Sequence, residues 1–262
     1  MRILLTNDDG IYARGIIALA RAVAHLGDVQ VIAPERSRSA IGHAITLHKP
    51  LRMDPHYHTE YTVPAYATSG TPADCVMLGY YEVFEKELDL VISGINDGPN
   101  LGDDVTYSGT VSAAMEASVI GVPSIAVSMG GFDCSHFDDA AKFTAELARF
   151  MVESKVPNKT LFNVNYPDLP LDQVKGVRLT RMGYRWYSDV VQKRHDPRGA
   201  PYYWICGEKQ YCDNEVGTDC KAVENGEISI TPLTMDLTHY SDLENFKSFP
   251  QTLALKFNFK KE

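Results

Sequence analysis

An α/β fold with a mostly parallel sheet flanked by helices is the architecture this 262-residue sequence predicts. Three observations lead to it. Short apolar, β-branched runs alternate with helical stretches through the first two-thirds of the chain. A strand, a helix and a second strand fit within residues 2–34, the size of one right-handed crossover. After about residue 175 the texture changes to Tyr, Trp, Gly, Pro and charge, which predicts a hairpin-rich C-terminal extension.

The elements follow in chain order. Residues 2–6 are an apolar run that stops at Asn-Asp-Asp-Gly. Residues 13–25 put Ile16, Ile17, Leu19, Ala20 and Val23 on one helical stripe, ended by Gly27. Residues 29–33 are β-branched and close at Pro34, and residues 45–68 read as an irregular excursion with at most short strands. The Gly70–Pro72 turn opens a helix over 71–84, and LDLVIS at 88–93 is a buried strand. Residues 94–108 read as a polar loop, and 109–120 as a helix of small residues stopped by Gly121 and Pro123. A strand at 124–128, a helix at 138–154 and a strand at 160–165 complete the alternation. Residues 176–232 read as antiparallel strands or hairpins, and 238–258 as a helix followed by a final strand, LALKFNF. The division expected is a core over 1–175 and a hairpin region with tail over 176–262, within one structural unit.

Composition excludes several classes. A net charge of −9 argues against a duplex nucleic-acid footprint. No run is long and apolar enough to span a bilayer, and the N-terminal run is too short for a secretory signal, so no membrane association and a cytoplasmic location are expected. Five cysteines do not make a secreted disulfide framework. The gaps between Cys206, Cys212 and Cys220 do not match a structural zinc site, and free thiols are expected there in preference to a local disulfide.

The chemistry gathers at strand ends. Asp8 and Asp9 follow the first strand, Ser39 lies after the second, and Asn96 follows LDLVIS. In an open parallel sheet ligands bind beyond the carboxyl ends of the strands, so these residues can converge. Adjacent carboxylates ionise together only around a cation or several donors, and an all-oxygen set suits a hard cation. A helix cap would need only one of the two. Ser108, Gly109 and Thr110 open a helix whose free N–H groups and dipole favour an anion, though such caps are common. His43, in the Ser39 loop, is a candidate proton donor or a structural histidine. Arg36 and Arg38 are candidate anion contacts or solvated side chains. The dense aromatics Tyr184, Trp186, Tyr187 and Tyr202–Trp204 read as a local core and subunit interface before any base-stacking role. There is no Walker loop, no GxGxxG after the first strand and no GxSxG. A receiver fold also pairs aspartates after its first strand, but it would need an Asp where Asn96 stands.

NDDG at 7–10, RSRSAIGHAITLHKPLR around Ser39, SGTPADCV at 69–76, SGINDGPNLGDDVTYSGTVSAAMEA at 93–117 and DPRGAPYYWI at 196–205 resemble the SurE family (survival protein E) over nearly the whole chain. The resemblance implies a Rossmann-like core and a metal-dependent 5'-nucleotidase, a phosphomonoesterase releasing nucleoside and phosphate from nucleoside 5'-monophosphates. In some members 3'-nucleotides and short polyphosphate are further substrates. It implies one divalent cation per subunit, Mg²⁺ or Mn²⁺, held by Asp8, Asp9, Ser39 and Asn96. Catalysis falls on Asp8, Asp9 and Asn96, and phosphate contact on Asn96, Ser108, Gly109 and Thr110. It also implies a homodimer or homotetramer built by exchange of C-terminal elements. Two features depart from the family pattern: Ala117 after Glu116, where Gly is usual, and the cysteines at 206, 212 and 220.

Overall fold

The structure, a computed structural model, describes residues 1–187, 191–205, 210–213 and 215–257. Its centre is a nine-stranded sheet. In chain order the first elements are β1 (Arg2–Thr6), α1 (Arg14–Val23), β2 (Asp28–Pro34), β3 (Met53–Pro55), β4 (Ala65–Thr68), α2 (Pro72–Leu78), β5 (Leu90–Asn96) and α3 (Gly109–Val119). There follow β6 (Ser124–Met129), α4 (Phe137–Glu153), β7 (Leu161–Tyr166), β8 (Val177–Leu179), β9 (Arg185–Tyr187), β10 (Val191–His195), β11 (Pro201–Ile205) and β12 (Gln210–Cys212). The last are α5 (Asp219–Glu224), β13 (Ile228–Leu233), α6 (Tyr240–Asn245) and α7 (Phe249–Lys256).

The strand order is β3-β4-β2-β1-β5-β6-β7-β13-β8. The run from β4 to β7 is parallel, while β3 pairs with β4, and β13 with β7, in antiparallel fashion. Each central strand is buried on both faces and so reads as a continuous apolar run. Helices α1 and α4 cover one face, where Ile16, Leu19, Ala140 and Ala148 pack on Ile3, Leu5 and Ile92. Helices α2 and α3 cover the other, where Val76, Ala113 and Ala117 pack on Leu4, Ile32 and Val91. Full burial of each such Leu, Ile or Val stabilises the fold by about 1.5–3 kcal/mol. Ala117 is fully enclosed there, so the side chain that replaces the usual glycine fills core space.

Successive crossovers leave β1 in opposite directions, toward β2 and, later, toward β5. The neighbouring carboxyl ends of β1 and β5 therefore form the sheet's switch point.

Several expectations are corrected. Strand β5 continues through Gly94 and Ile95 to Asn96, so Asn96 is a strand-end residue, and its register with β6 shifts between Ser93 and Asn96. The helix expected over 71–84 is α-helical only to Leu78 and widens into a π-turn at Gly79–Val83. Within 176–232, β10–β11 and β9–β12 are antiparallel pairs as expected, but β8 and β13 join the central sheet and α5 is a helix. The tail segment read as strand LALKFNF is helical in Leu253–Lys256, while 258–259 lie outside the described residues. Pro250 near the start favours a helical turn, and a four-residue apolar alternation carries too little periodicity to overrule it. Cys212 and Cys220 form a disulfide, with Cα atoms 5.9 Å apart, where free thiols were expected. Cys212 on β12 and Cys220 on α5 meet in the fold, which spacing along the chain does not reveal. Cys206 lies outside the described residues, and Cys75 and Cys134 are free and buried. No helix among the described residues is long and apolar enough to cross a membrane.

Candidate active site

Asn7 sets the turn after β1. Its side chain donates to the Gly10 carbonyl (2.9 Å) and accepts from the Gly10 amide (3.1 Å). Gly10 has φ +100°, a backbone state that favours glycine. This clasp delivers Asp8 and Asp9 side by side at the switch point.

Asp8 is buried and held on several sides. The Thr110 hydroxyl donates to its Oδ1, and the α3 amides of Gly109 and Thr110 point at the carboxylate. A Cβ on Gly109 would stand 2.7 Å from the Asp8 Cβ and 2.8 Å from Oδ2. The carboxylate is thus seated on the bare backbone of the helix start. Burial raises the Asp8 pKa despite these donors. Asp9 accepts the Asp97 amide at 3.3 Å. Burial first, then the charge of Asp8, pushes its pKa up to about 6. No cationic side chain contributes to either carboxyl.

The Ser39 loop is fastened from both ends. The Arg38 amide donates to the Asp8 carbonyl (2.7 Å), and its guanidinium to the Ser69 carbonyl (2.9 Å). The Gly42 amide bonds the Tyr107 carbonyl (3.1 Å). His43 Nε2 lies 2.7 Å from Glu116 Oε2, which ties the loop to α3. Thr46 bonds the buried Asp74 through its amide (2.9 Å) and hydroxyl (2.6 Å), and Asp74 closes a capping box with Thr71. Ser39 itself is exposed, with its Oγ 2.8 Å from Ser37 Oγ.

Beyond β5, Asn96 donates from Nδ2 to the Gly98 carbonyl (2.7 Å). The next turn rests on amides: Asn100 donates to Ser128 Oγ (2.7 Å) while its carbonyl accepts Asn163 (2.9 Å) and Asn165 (3.0 Å). The Gly102 amide bonds the buried Asp219 carboxylate (2.9 Å), and Arg185 pairs with Asp104 at 2.7 Å. Ser108 caps α3 by accepting the Val111 amide (3.1 Å).

Asp8, Asp9, Ser39, Asn96 and Ser108 line one open cleft of about 390 Å³, together with Asp97, Asn100, Asp104, Tyr107 and Phe132. A larger cavity, about 570 Å³, opens at the amino ends of the strands beside Leu88, Pro123 and Lys155, away from the paired carboxylates. Gly109 and Thr110 are absent from the cleft's lining; they sit behind Asp8 and hold it. Asp74, Glu116 and Asp219 escaped the sequence reading because each also acts through a partner distant in the chain, whereas Asn7 acts locally on Gly10. Of those three, only Asp74 had a local signature, the Thr71–Asp74 cap.

Two carboxylates, a hydroxyl and a carboxamide form an oxygen set that fits a hard divalent cation. The raised pKa values express the same need: burial disfavours the charge on both carboxyls, the Asp8 charge adds to this at Asp9, and a bound cation would offset both effects. Among the described residues no three His, Cys, Asp or Glu side chains cluster as a metal centre, so any cation here depends on the neutral oxygens of Ser39 and Asn96.

The profile of survival protein SurE matches residues 3–189. A 5'-nucleotidase SurE of Moorella thermoacetica is 51% identical over 99% of this chain and 97% of its own. One of Geobacter sulfurreducens is 48% identical over 95% and 94%. The crystal structure of the SurE protein from Aquifex aeolicus superposes with a TM-score of 0.84 at 44% identity, covering 95% of this chain and all of that one.

Proposed function

This chain belongs to the SurE family, and on that premise we propose that it is a metal-dependent phosphomonoesterase, a 5'-nucleotidase hydrolysing nucleoside 5'-monophosphates at the Asp8–Asp9 cleft. The observation that carries the reading is the pair of unneutralised carboxylates at the sheet's switch point, facing Ser39 and Asn96 across one cleft.

In this reading Asp8, Asp9, Ser39 and Asn96 hold one Mg²⁺ or Mn²⁺. A divalent cation bound there supplies Lewis acidity toward the phosphate and a more acidic water. Asn96 has one Nδ2 hydrogen committed to Gly98, which leaves its oxygen as the ligand atom and its other N–H for a phosphoryl oxygen. The Ser108 hydroxyl accepts from Val111 and so keeps its own proton to donate to the phosphate. Gly109 and Thr110 contribute by fixing Asp8.

Asp9 is the proton acceptor for the attacking water. It is the more accessible carboxyl of the pair, half-buried where Asp8 is buried, and it lines the cleft. Asp8, gripped at Oδ1 by Thr110 and packed at Oδ2 on Gly109, is poorly placed as a nucleophile. A trapped phospho-aspartate would overturn that choice.

Residues 1–175 carry the chemistry and 176–262 the assembly of a homodimer or homotetramer. The exposed Tyr203, Trp204 and Ile205 of β11, and Leu243, Phe246 and Phe249 of the tail, support this. Light scattering on the purified protein tests it.

The deciding assay is phosphate release from a nucleoside monophosphate with Mn²⁺ or Mg²⁺. Chelator is expected to stop it, and Asp9→Ala and Asn96→Ala to lose most turnover while folding normally. Near-normal turnover in both variants rejects the site.

A further inference from the structure

The polar end of the cleft accounts for a phosphate, but a nucleotide also has a sugar and a base. Two large rings line the same cleft: Phe132, 62% exposed, and Tyr107, 68% exposed. Both rings are thus open to a ligand entering the cleft. Neither stacks on another aromatic among the described residues.

Their positions are fixed relative to the phosphate end. Phe132 lies against the backbone of Gly98: a Cβ there would stand 3.1 Å from Cε1 and 3.3 Å from Cδ1 of the ring. The Gly98 carbonyl is also the acceptor of the Asn96 amide. Gly98 therefore holds the Phe132 ring on one side and Asn96 on the other. Tyr107 immediately precedes Ser108, and its carbonyl accepts the Gly42 amide, which anchors the Ser39 loop. Phe132 further forms the ridge to a second cavity of about 500 Å³, shared with Pro99 and walled by Leu101 and Val223. Arg185 and Glu224 also line that cavity, so the space past the ring is mixed in polarity.

We propose that Phe132 and Tyr107 form the nucleobase subsite, gripping the base by its π-face while the phosphate sits at Asn96 and Ser108. The subsite deepens the nucleotidase reading and rests on it. Stacking accepts any base, because each presents a π-face. Stacking on these rings therefore selects nucleotides over plain sugar phosphates.

The test compares kcat/KM for the four common nucleoside monophosphates and for ribose 5-phosphate in wild type, Phe132→Ala and Phe132→Ala/Tyr107→Ala. Adenosine serves as a phosphate-free competitive inhibitor. The single change is expected to lower the ratio of nucleotide to ribose 5-phosphate kcat/KM about 10-fold, and the double change more. The adenosine inhibition constant should weaken in parallel, and Phe132→Trp should restore both, with thermal melts unchanged throughout. Parallel loss on nucleotide and ribose 5-phosphate, or an unaltered adenosine constant in the double variant, overturns the subsite alone. Wild type that cleaves ribose 5-phosphate but no nucleotide overturns the nucleotidase reading and the subsite with it.

Discussion

Without metal, Asp9→Asn is expected to make the protein more stable at neutral pH while abolishing turnover. The fold holds the Asp9 carboxyl at about 6 against its ordinary 3.8, through burial and the neighbouring Asp8 charge. A raised folded-state pKa means that the proton is bound more tightly in the folded than in the unfolded chain. The group's favourable contribution is therefore complete below the unfolded value and is lost as pH rises through about 6. Each pH unit of such a difference is worth about 1.4 kcal/mol. Because Asp9 is partly accessible, screening trims the cost above pH 6 to about 2 kcal/mol. For a chain of this size that corresponds to a melting temperature about 4–8 °C higher in the Asn variant. The assay is a series of thermal melts in chelator from pH 5 to 8, with both proteins side by side. Their difference, already partly open at pH 5, should grow until a little above pH 6 and then level off. Adding Mn²⁺ should reverse it, since a cation at 100 times its Kd stabilises only the protein that binds it, by about 2.7 kcal/mol. A variant that melts at or below wild type at pH 8 in chelator, or a difference independent of pH, would refute the claim that burial and the Asp8 charge make ionised Asp9 costly.

Other perturbations probe the support around the pair. Thr110→Val removes the hydroxyl that donates to Asp8, and Mn²⁺ affinity by calorimetry should fall about 10- to 100-fold with little change in melting. Gly109→Ala places a methyl 2.7 Å from the Asp8 Cβ; displacement of the carboxylate should cost about 100-fold in kcat in a phosphate-release assay on a folded protein. Cys212→Ser opens the loop closed across eight positions. Differential scanning calorimetry should show a loss of about 2.5 kcal/mol, reproduced by dithiothreitol in wild type and absent from further reduction of the variant.

Much of the sheet was legible because doubly covered parallel strands are continuous apolar runs, and 2–6, 29–33 and 124–128 are such runs. The elements misread were those whose state depends on remote partners. LALK has no strand partner among the described residues and closes a helix instead. Strands β8 and β13 look like hairpin material, yet they extend the sheet because the edge of β7 is there to receive β13. The cysteine pair was invisible for the same reason, since nothing in the spacing shows that Cys212 on β12 and Cys220 on α5 come within 5.9 Å.

The sequence by itself determined which chemistry was available. Asn-Asp-Asp-Gly after a buried strand, with Ser39 and Asn96 after two others, is an oxygen set at the carboxyl edge of a parallel sheet. Residue types and strand ends are local properties, so they can be read without coordinates. Tertiary structure alone decided the division of labour: Asp8 locked onto the α3 start, Asp9 left accessible, His43 paired with Glu116, and two rings set at the cleft mouth. Those outcomes depend on burial and on partners far apart in the chain, and neither is encoded in the spacing of a motif.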